Sequence, residues 1–370
     1  MKQKIIISTD TKNELQKLWE KHKVKKVFIV CDAAFPFLKT HDEYLDMGVP
    51  YVIFNKFTSN PLYEDVVVGV KCFQKEECDA ILAIGGGSAM DVAKCIKLFA
   101  TMDDTKVYLE QKFEKNSIIL VAIPTTSGTG SESTRYAVVY YEGKKQSVTH
   151  DSIVPTYSIL DYRNLETLSI YQKKCTMMDA LCQSIESWWS VNATEESREY
   201  AKKALSIILK YSDSYIANEE EGNKQMLIAA NYAGRAICIS QTTAAHAMSY
   251  KLTSLYKIPH GRAVFMCLPY IWRHMWNIVE NSKDEFALRL QTLFLEIAVA
   301  MGCKHVNEAI EKLFHMDEML FSNEKVELNI KDVDVLTASV NPIRLGNTPV
   351  KLSEEVLRGL YSEIITNYLV

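Results

Sequence analysis

Four short, almost uninterrupted apolar runs, at 26–30, 51–54, 80–84 and 118–123, constrain the fold of this chain more than any other feature. A strand with one wet face alternates apolar and polar residues, so a continuous apolar run marks a strand covered on both faces, as in parallel sheets. Between the runs lie stretches with helical spacing, at 63–76 and 89–100. This alternation predicts an open, doubly wound parallel sheet. Segments 136–141 and 145–149, separated by Glu142-Gly143, predict an antiparallel hairpin beside it.

From about residue 165 the pattern changes. Segments 175–191, 197–216, 224–240, 244–256, 287–301 and 353–368 all carry helical periodicity, and β-rich runs become scarce. The expected organisation is an α/β domain over residues 1–163 followed by an all-helical domain over 164–370. A length of 370 residues accommodates both.

A net charge of −4 with scattered basic residues argues against nucleic acid or an anionic membrane as partner. No apolar stretch reaches the length of a membrane span, and the first ten residues lack a signal-peptide pattern. The nine cysteines are irregularly spaced without a CxxC pair, which reads as free thiols in a reduced, cytoplasmic protein.

Two loops have the chemistry to hold an anion. Gly85-Gly86-Gly87-Ser88 follows a predicted strand directly and opens a helix containing Asp91 and Lys94. Glycines there let backbone N–H groups approach a phosphate, and the helix N-terminus adds positive potential. The next strand leads into Pro124-Thr125-Thr126-Ser127-Gly128-Thr129-Gly130-Ser131-Glu132, rich in hydroxyls and glycine. Loops at the carboxyl ends of strands are where an open α/β sheet binds its ligand. Asp32, at the end of the strand 27–30, can accept hydrogen bonds from ribose hydroxyls and repel a 2′-phosphate; capping the following segment is the alternative use of the same carboxylate. With both loops, a dinucleotide is the expected ligand.

A second constellation lies in the helical half. Asp179 and Gln183 are four residues apart, hence on one helix face, and a carboxylate in so apolar a helix is costly without a cation. His246 follows a run of small residues, and His260 sits in a Pro259-His260-Gly261 turn. An aspartate, an amide and two imidazoles suit one divalent transition metal.

The order and spacing of these motifs, from Gly85 through Asp91, Pro124–Glu132 and Asp179-Ala180-Leu181 to His246 and Pro259-His260-Gly261, resemble the iron-containing alcohol dehydrogenases over essentially the whole chain. The resemblance implies an architecture shared with dehydroquinate synthases: a nicotinamide-binding N-terminal domain and an all-helical metal-binding C-terminal domain. It implies Asp179, Gln183, His246 and His260 as ligands of Fe2+, Zn2+ or Mn2+. The family pattern is one Asp and three His, so Gln183 departs from it. Asp32 matches an acidic residue associated with NADH over NADPH. Gly86, Gly87, Ser88 and Asp91 fall on the pyrophosphate loop and its helix, Thr125, Thr126 and Thr129 on the second cofactor loop, and Lys145 near the nicotinamide ribose. Tyr250 stands where many members carry a further histidine facing the substrate, and Tyr250 and Lys145 are the candidate catalytic groups. A homodimer acting on a small aldehyde or alcohol is implied as well.

Within the family, the stretch 179–192 and Ser339-Val340-Asn341-Pro342 with Arg344-Leu345 resemble the phosphonoacetaldehyde reductases, which form 2-hydroxyethylphosphonate and whose site shares the glutamine. A phosphonate needs cationic partners, for which Arg135, Arg235, Arg262 and Arg344 are candidates. Two other functions fit the same residues: a lyase of the dehydroquinate synthase type, which uses NAD transiently, and a cofactor-binding protein whose catalysis has degraded at Gln183.

Overall fold

The computed structural model describes residues 3–368. The chain divides into two compact units, Met1–Ser169 with Ala217–Gly234, and Ile170–Ile216 with Arg235–Val370.

The first unit is built in the order β1 (Lys4–Ile7), α1 (Thr11–His22), β2 (Val27–Cys31), α2 (His41–Leu45), β3 (Tyr51–Phe54), α3 (Tyr63–Lys75), β4 (Ala80–Gly85), α4 (Gly87–Phe99), β5 (Ile119–Pro124), β6 (Tyr136–Tyr141), β7 (Lys144–Thr149) and β8 (Tyr157–Leu160). Six strands form one parallel sheet in the order β1-β8-β5-β4-β2-β3, and β6 pairs with β7 as a separate antiparallel hairpin. Three of the four apolar runs behave as their composition requires, but β3 is an edge strand in which Tyr51 and Ile53 are exposed, because among the described residues no further strand covers that side of the sheet. Phe28, Val30, Ile81, Ala83, Leu120 and Ala122 enter one core, while Val27, Ile29, Leu82, Ile84, Val121 and Ile123 enter the other, so both faces are covered. Strands β2, β4 and β5 are neighbours, which sets the ends carrying Asp32, Gly86 and Thr125 side by side.

The second unit is helical: α5 (Ile170–Trp189), α6 (Glu195–Ile216), the part of α7 (Glu220–Ser240) from Arg235 onward, α8 (Ala244–Tyr256), α9 (His260–Val279), α10 (Glu285–Ala300), α11 (Val306–Phe321), α12 (Val333–Ala338), α13 (Pro342–Leu345) and α14 (Glu354–Tyr368). Helix α9 packs on both α5 and α8, and the three carry the metal constellation. One local expectation is corrected here. Pro259-His260-Gly261 is not a free turn: Pro259 is the N-cap and His260 the first residue of α9, a 20-residue helix. No helix among the described residues is long and apolar enough to cross a membrane.

Candidate metal centre and cofactor loops

Helix α5 presents Asp179, Gln183 and Glu186 at positions i, i+4 and i+7, one polar line on a helix otherwise buried among apolar side chains. All three are buried. His246 enters from the first turn of α8, and His260 from the start of α9. The close approach of α9 to α5 requires Gly261: a Cβ there would lie 2.0 Å from the Cys175 carbonyl oxygen and 2.8 Å from Asp179 Cβ.

One ligand atom from each of Asp179, His246 and His260 falls within 4.8 Å of the others. His246 Nε2 lies 3.3 Å from Asp179 Oδ1, close to the ~3.0–3.4 Å expected between donors sharing one metal at about 2.1 Å. Gln183 Nε2 donates to Asp179 Oδ1 at 3.1 Å, so its amide belongs to the same cluster. A mixed carboxylate and imidazole donor set suits a divalent transition metal, and two buried carboxylates on one helix face call for positive charge. The residues therefore fit the group expected for them.

The charges of the cluster are strongly coupled. Burial works against the Asp179 charge, but its hydrogen bond with His246 and the fields of His260 and His246 outweigh burial and hold the carboxyl below its ordinary range. Burial lowers the pKa of His246, yet the Glu186 charge and the Asp179 hydrogen bond reverse this and raise it to about 9. His260 and Tyr250 are partly exposed, which leaves this side of the cluster open.

Sequence reasoning missed Glu186. Its Oε2 lies in hydrogen-bond contact with His246 Nδ1, and its Oε1 receives four donors from residues 243–246. The available signal was a third polar residue on the Asp179–Gln183 face, one turn further along an apolar helix.

In the first unit the two loops meet. A Cβ on Gly86 would touch Thr126 Cγ2 at 3.4 Å, and one on Gly87 would touch Thr129 Cγ2 at 3.1 Å. Thr125 N donates to the Gly85 carbonyl oxygen at 3.0 Å. Gly85 has φ +151°, and a Cβ there would lie 2.6 Å from Asp32 Oδ2. Asp32 serves its own loop and the next: Oδ1 accepts from Ala34 N at 3.0 Å, and Oδ2 from Gly86 N at 3.1 Å. Ser88 Oγ donates to the Ser59 carbonyl oxygen at 2.7 Å. Asp91 is a brace within the protein, its oxygens accepting from Ser131 Oγ at 2.9 Å and Val138 N at 3.0 Å. Lys94 completes that brace through Ser131 Oγ, Thr134 Oγ1 and the Tyr136 carbonyl oxygen. Lys145 is exposed on β7 opposite Tyr140, and its charge is felt at Asp91.

All four candidate arginines interact with other residues of the chain. Arg135 bonds Asp151 and Tyr136, Arg235 stacks over the Tyr200 ring, and buried Arg262 lies over Phe321 with bonds to Tyr171 and the Glu324 carbonyl oxygen. Arg344 closes α13, which packs against α8, the helix of His246 and Tyr250.

Residues 2–162 match the family model of the iron-containing alcohol dehydrogenases, and residues 174–364 match the C-terminal model of the Fe-containing alcohol dehydrogenase family. The chain belongs to the iron-containing alcohol dehydrogenase family, oxidoreductases of alcohols and aldehydes. It is 30% identical over 328 residues to alcohol dehydrogenase 4 of Schizosaccharomyces pombe, covering 85% of this chain and 76% of that one. It is 32% identical over 271 residues to the NAD-dependent methanol dehydrogenase of Bacillus methanolicus, covering 70% of each. The crystal structure of sulfoacetaldehyde reductase from Bifidobacterium kashiwanohense in complex with NAD+ superposes with a TM-score of 0.87 at 25% identity, covering 98% of this chain and 97% of that one.

Proposed function

We propose that this chain is an NADH-dependent, metal-assisted reductase that converts phosphonoacetaldehyde to 2-hydroxyethylphosphonate. The observation that carries the metal-assisted part is the convergence of Asp179, His246 and His260 from three helices on one point. The substrate rests on the sequence resemblance, and it is supported by a relative whose named substrate, sulfoacetaldehyde, is also a two-carbon aldehyde with an anionic head group.

A divalent ion held by Asp179, His246 and His260, with Gln183 as fourth ligand, would supply Lewis-acid polarisation of an aldehyde oxygen. The other tasks belong to the chain itself. Asp179 stays ionised in a buried setting because His246 and His260 face it. Glu186 holds the far nitrogen of His246. The backbone from Gly86 to Ser88 opens α4, where a pyrophosphate gains N–H donors and helix-terminal potential. Asp32, fixed against that loop, disfavours a cofactor with a 2′-phosphate, hence NADH. Family membership favours this chemistry over the lyase of the dehydroquinate synthase type.

The test is an NADH-oxidation screen of the metal-loaded protein with phosphonoacetaldehyde, sulfoacetaldehyde, acetaldehyde and butyraldehyde. Phosphonoacetaldehyde should give the highest kcat/KM. Faster turnover of the uncharged aldehydes would refute the substrate while leaving the reductase standing.

A further inference from the structure

We propose that Glu186 is a positioning residue that decides which nitrogen of His246 is offered to the metal, and that it does so while capping the helix carrying that histidine. The inference rests on the metal-assisted reading above and deepens it.

Glu186 is fully buried, and its two oxygens have separate tasks. Oε1 accepts from Thr243 N at 3.1 Å, Thr243 Oγ1 at 2.6 Å, Ala245 N at 2.9 Å and His246 N at 3.4 Å. Thr243 is the N-cap of α8 but makes no side-chain cap of its own. The carboxylate from α5 therefore satisfies the N–H groups that a helix start leaves orphaned. Oε2 faces His246 Nδ1. Four donors on Oε1 favour the ionised, acceptor-only carboxylate, so the proton in the contact at Oε2 belongs to Nδ1. The lone pair of a neutral ring then falls on Nε2, the atom 3.3 Å from Asp179 Oδ1.

Asp179 and Glu186 stand about two turns apart on α5, so one helix supplies both the candidate ligand and the group that aims its partner. The same carboxylate also fixes the first turn of α8 through Oε1, so the Oε2 that holds the ring is itself anchored. A purely structural cap would not need Oε2 on the ring.

Glu186→Gln separates the two roles. The amide keeps the shape and leaves Oε1 as an acceptor for the cap, but its NH2 group faces Nδ1. Donor meets donor unless the imidazole moves its proton to Nε2, which removes the lone pair a metal needs. The expected result is a loss of zinc affinity of about 10- to 100-fold with the circular dichroism spectrum retained. Thr243→Val deletes one cap donor and a partner of Trp189 Nε1; it should lower the thermal midpoint and leave zinc affinity within about threefold of wild type. In zinc-loaded wild type, long-range proton–nitrogen spectra should show His246 protonated at Nδ1 and ligating through Nε2.

Unchanged zinc affinity in Glu186→Gln, an equal loss of affinity in Thr243→Val, or ligation through Nδ1 would each overturn the proposal. If Glu186→Gln does not fold, the wild-type spectrum and Thr243→Val decide. Failure of wild type to bind zinc at all would sink the metal-assisted reading together with the inference. Normal binding by Glu186→Gln would sink the inference alone.

Discussion

The ring of Tyr250 lies almost parallel to the imidazole of His260, with centroids 5.8 Å apart and 11° between the planes. Tyr250 is one turn along α8 from His246, so a single helix contributes one candidate ligand and steadies another. Such a stack is worth about 0.5–1.5 kcal/mol beyond burial. Tyr250→Ala should therefore weaken metal retention by about threefold to tenfold, measured by competition with a chelating dye. Tyr250→Phe keeps the stack and should keep the affinity. It also isolates the hydroxyl: a relay through the phenol would show as a fall in kcat of about 100-fold or more at unchanged metal content.

Gln183 is the departure from the family's histidine pattern. A neutral amide oxygen is a weaker, harder ligand than imidazole. Gln183→His should tighten zinc retention by about tenfold or more and shift preference from Mn2+ toward Zn2+. Metal content after dialysis against chelator measures this directly. An unchanged content would take residue 183 out of the ligand set and leave it as a brace on Asp179, to which its amide already donates.

Arg344 is carried by α13, which packs against α8, the helix of His246 and Tyr250. Arg344→Ala should lower kcat/KM for phosphonoacetaldehyde by about 10- to 100-fold, the scale of a charge-assisted hydrogen bond. The value for acetaldehyde should be untouched. Equal losses for both aldehydes would mean that Arg344 supports the fold and not the phosphonate.

Lys97 supplies a stability test independent of the metal. Its side chain is 3% exposed on α4, where burial, aided by Lys115, pushes its pKa down to about 8. A folded pKa below the unfolded value means that the unfolded chain binds more protons between these two limits. The penalty is thus full below pH 8 and is relieved as pH rises toward the ordinary lysine value. Its scale is on the order of 3 kcal/mol. Lys97→Met should raise the thermal midpoint by a few degrees at pH 7, and the gap should close by about pH 10. A pH-independent gap would contradict it.

The fold was legible wherever the sequence pattern has a single physical cause. The runs at β2, β4 and β5 could be read because burial on both faces leaves no polar residue in them, whereas β3 is read from an apolar run although Tyr51 and Ile53 are exposed at the sheet edge. β1 escaped notice because it is a short edge strand whose Ile7 is half exposed. Helix α9 was hidden by its own start: Pro259-His260-Gly261 reads as a turn, and Pro269 interrupts the helical pattern. Asp179 and Gln183 could be paired through their spacing, whereas His246 and His260 could be grouped with them only through ligand chemistry and then the resemblance, because the contact spans three helices. Asp91 illustrates a limit of motif reading. Its position beside the glycine loop suggests the cofactor, and motif reading did not show that its oxygens also hold Ser131 and Val138.

The most direct measurement is NADH oxidation with phosphonoacetaldehyde by protein stripped with chelator, before and after titration with Fe2+, Zn2+ or Mn2+. The expected result is negligible turnover in the stripped protein, restored at one ion per chain, and no restoration in Asp179→Asn. Full turnover by the stripped protein, or restoration equally good in Asp179→Asn, would contradict metal-assisted reduction at Asp179, His246 and His260.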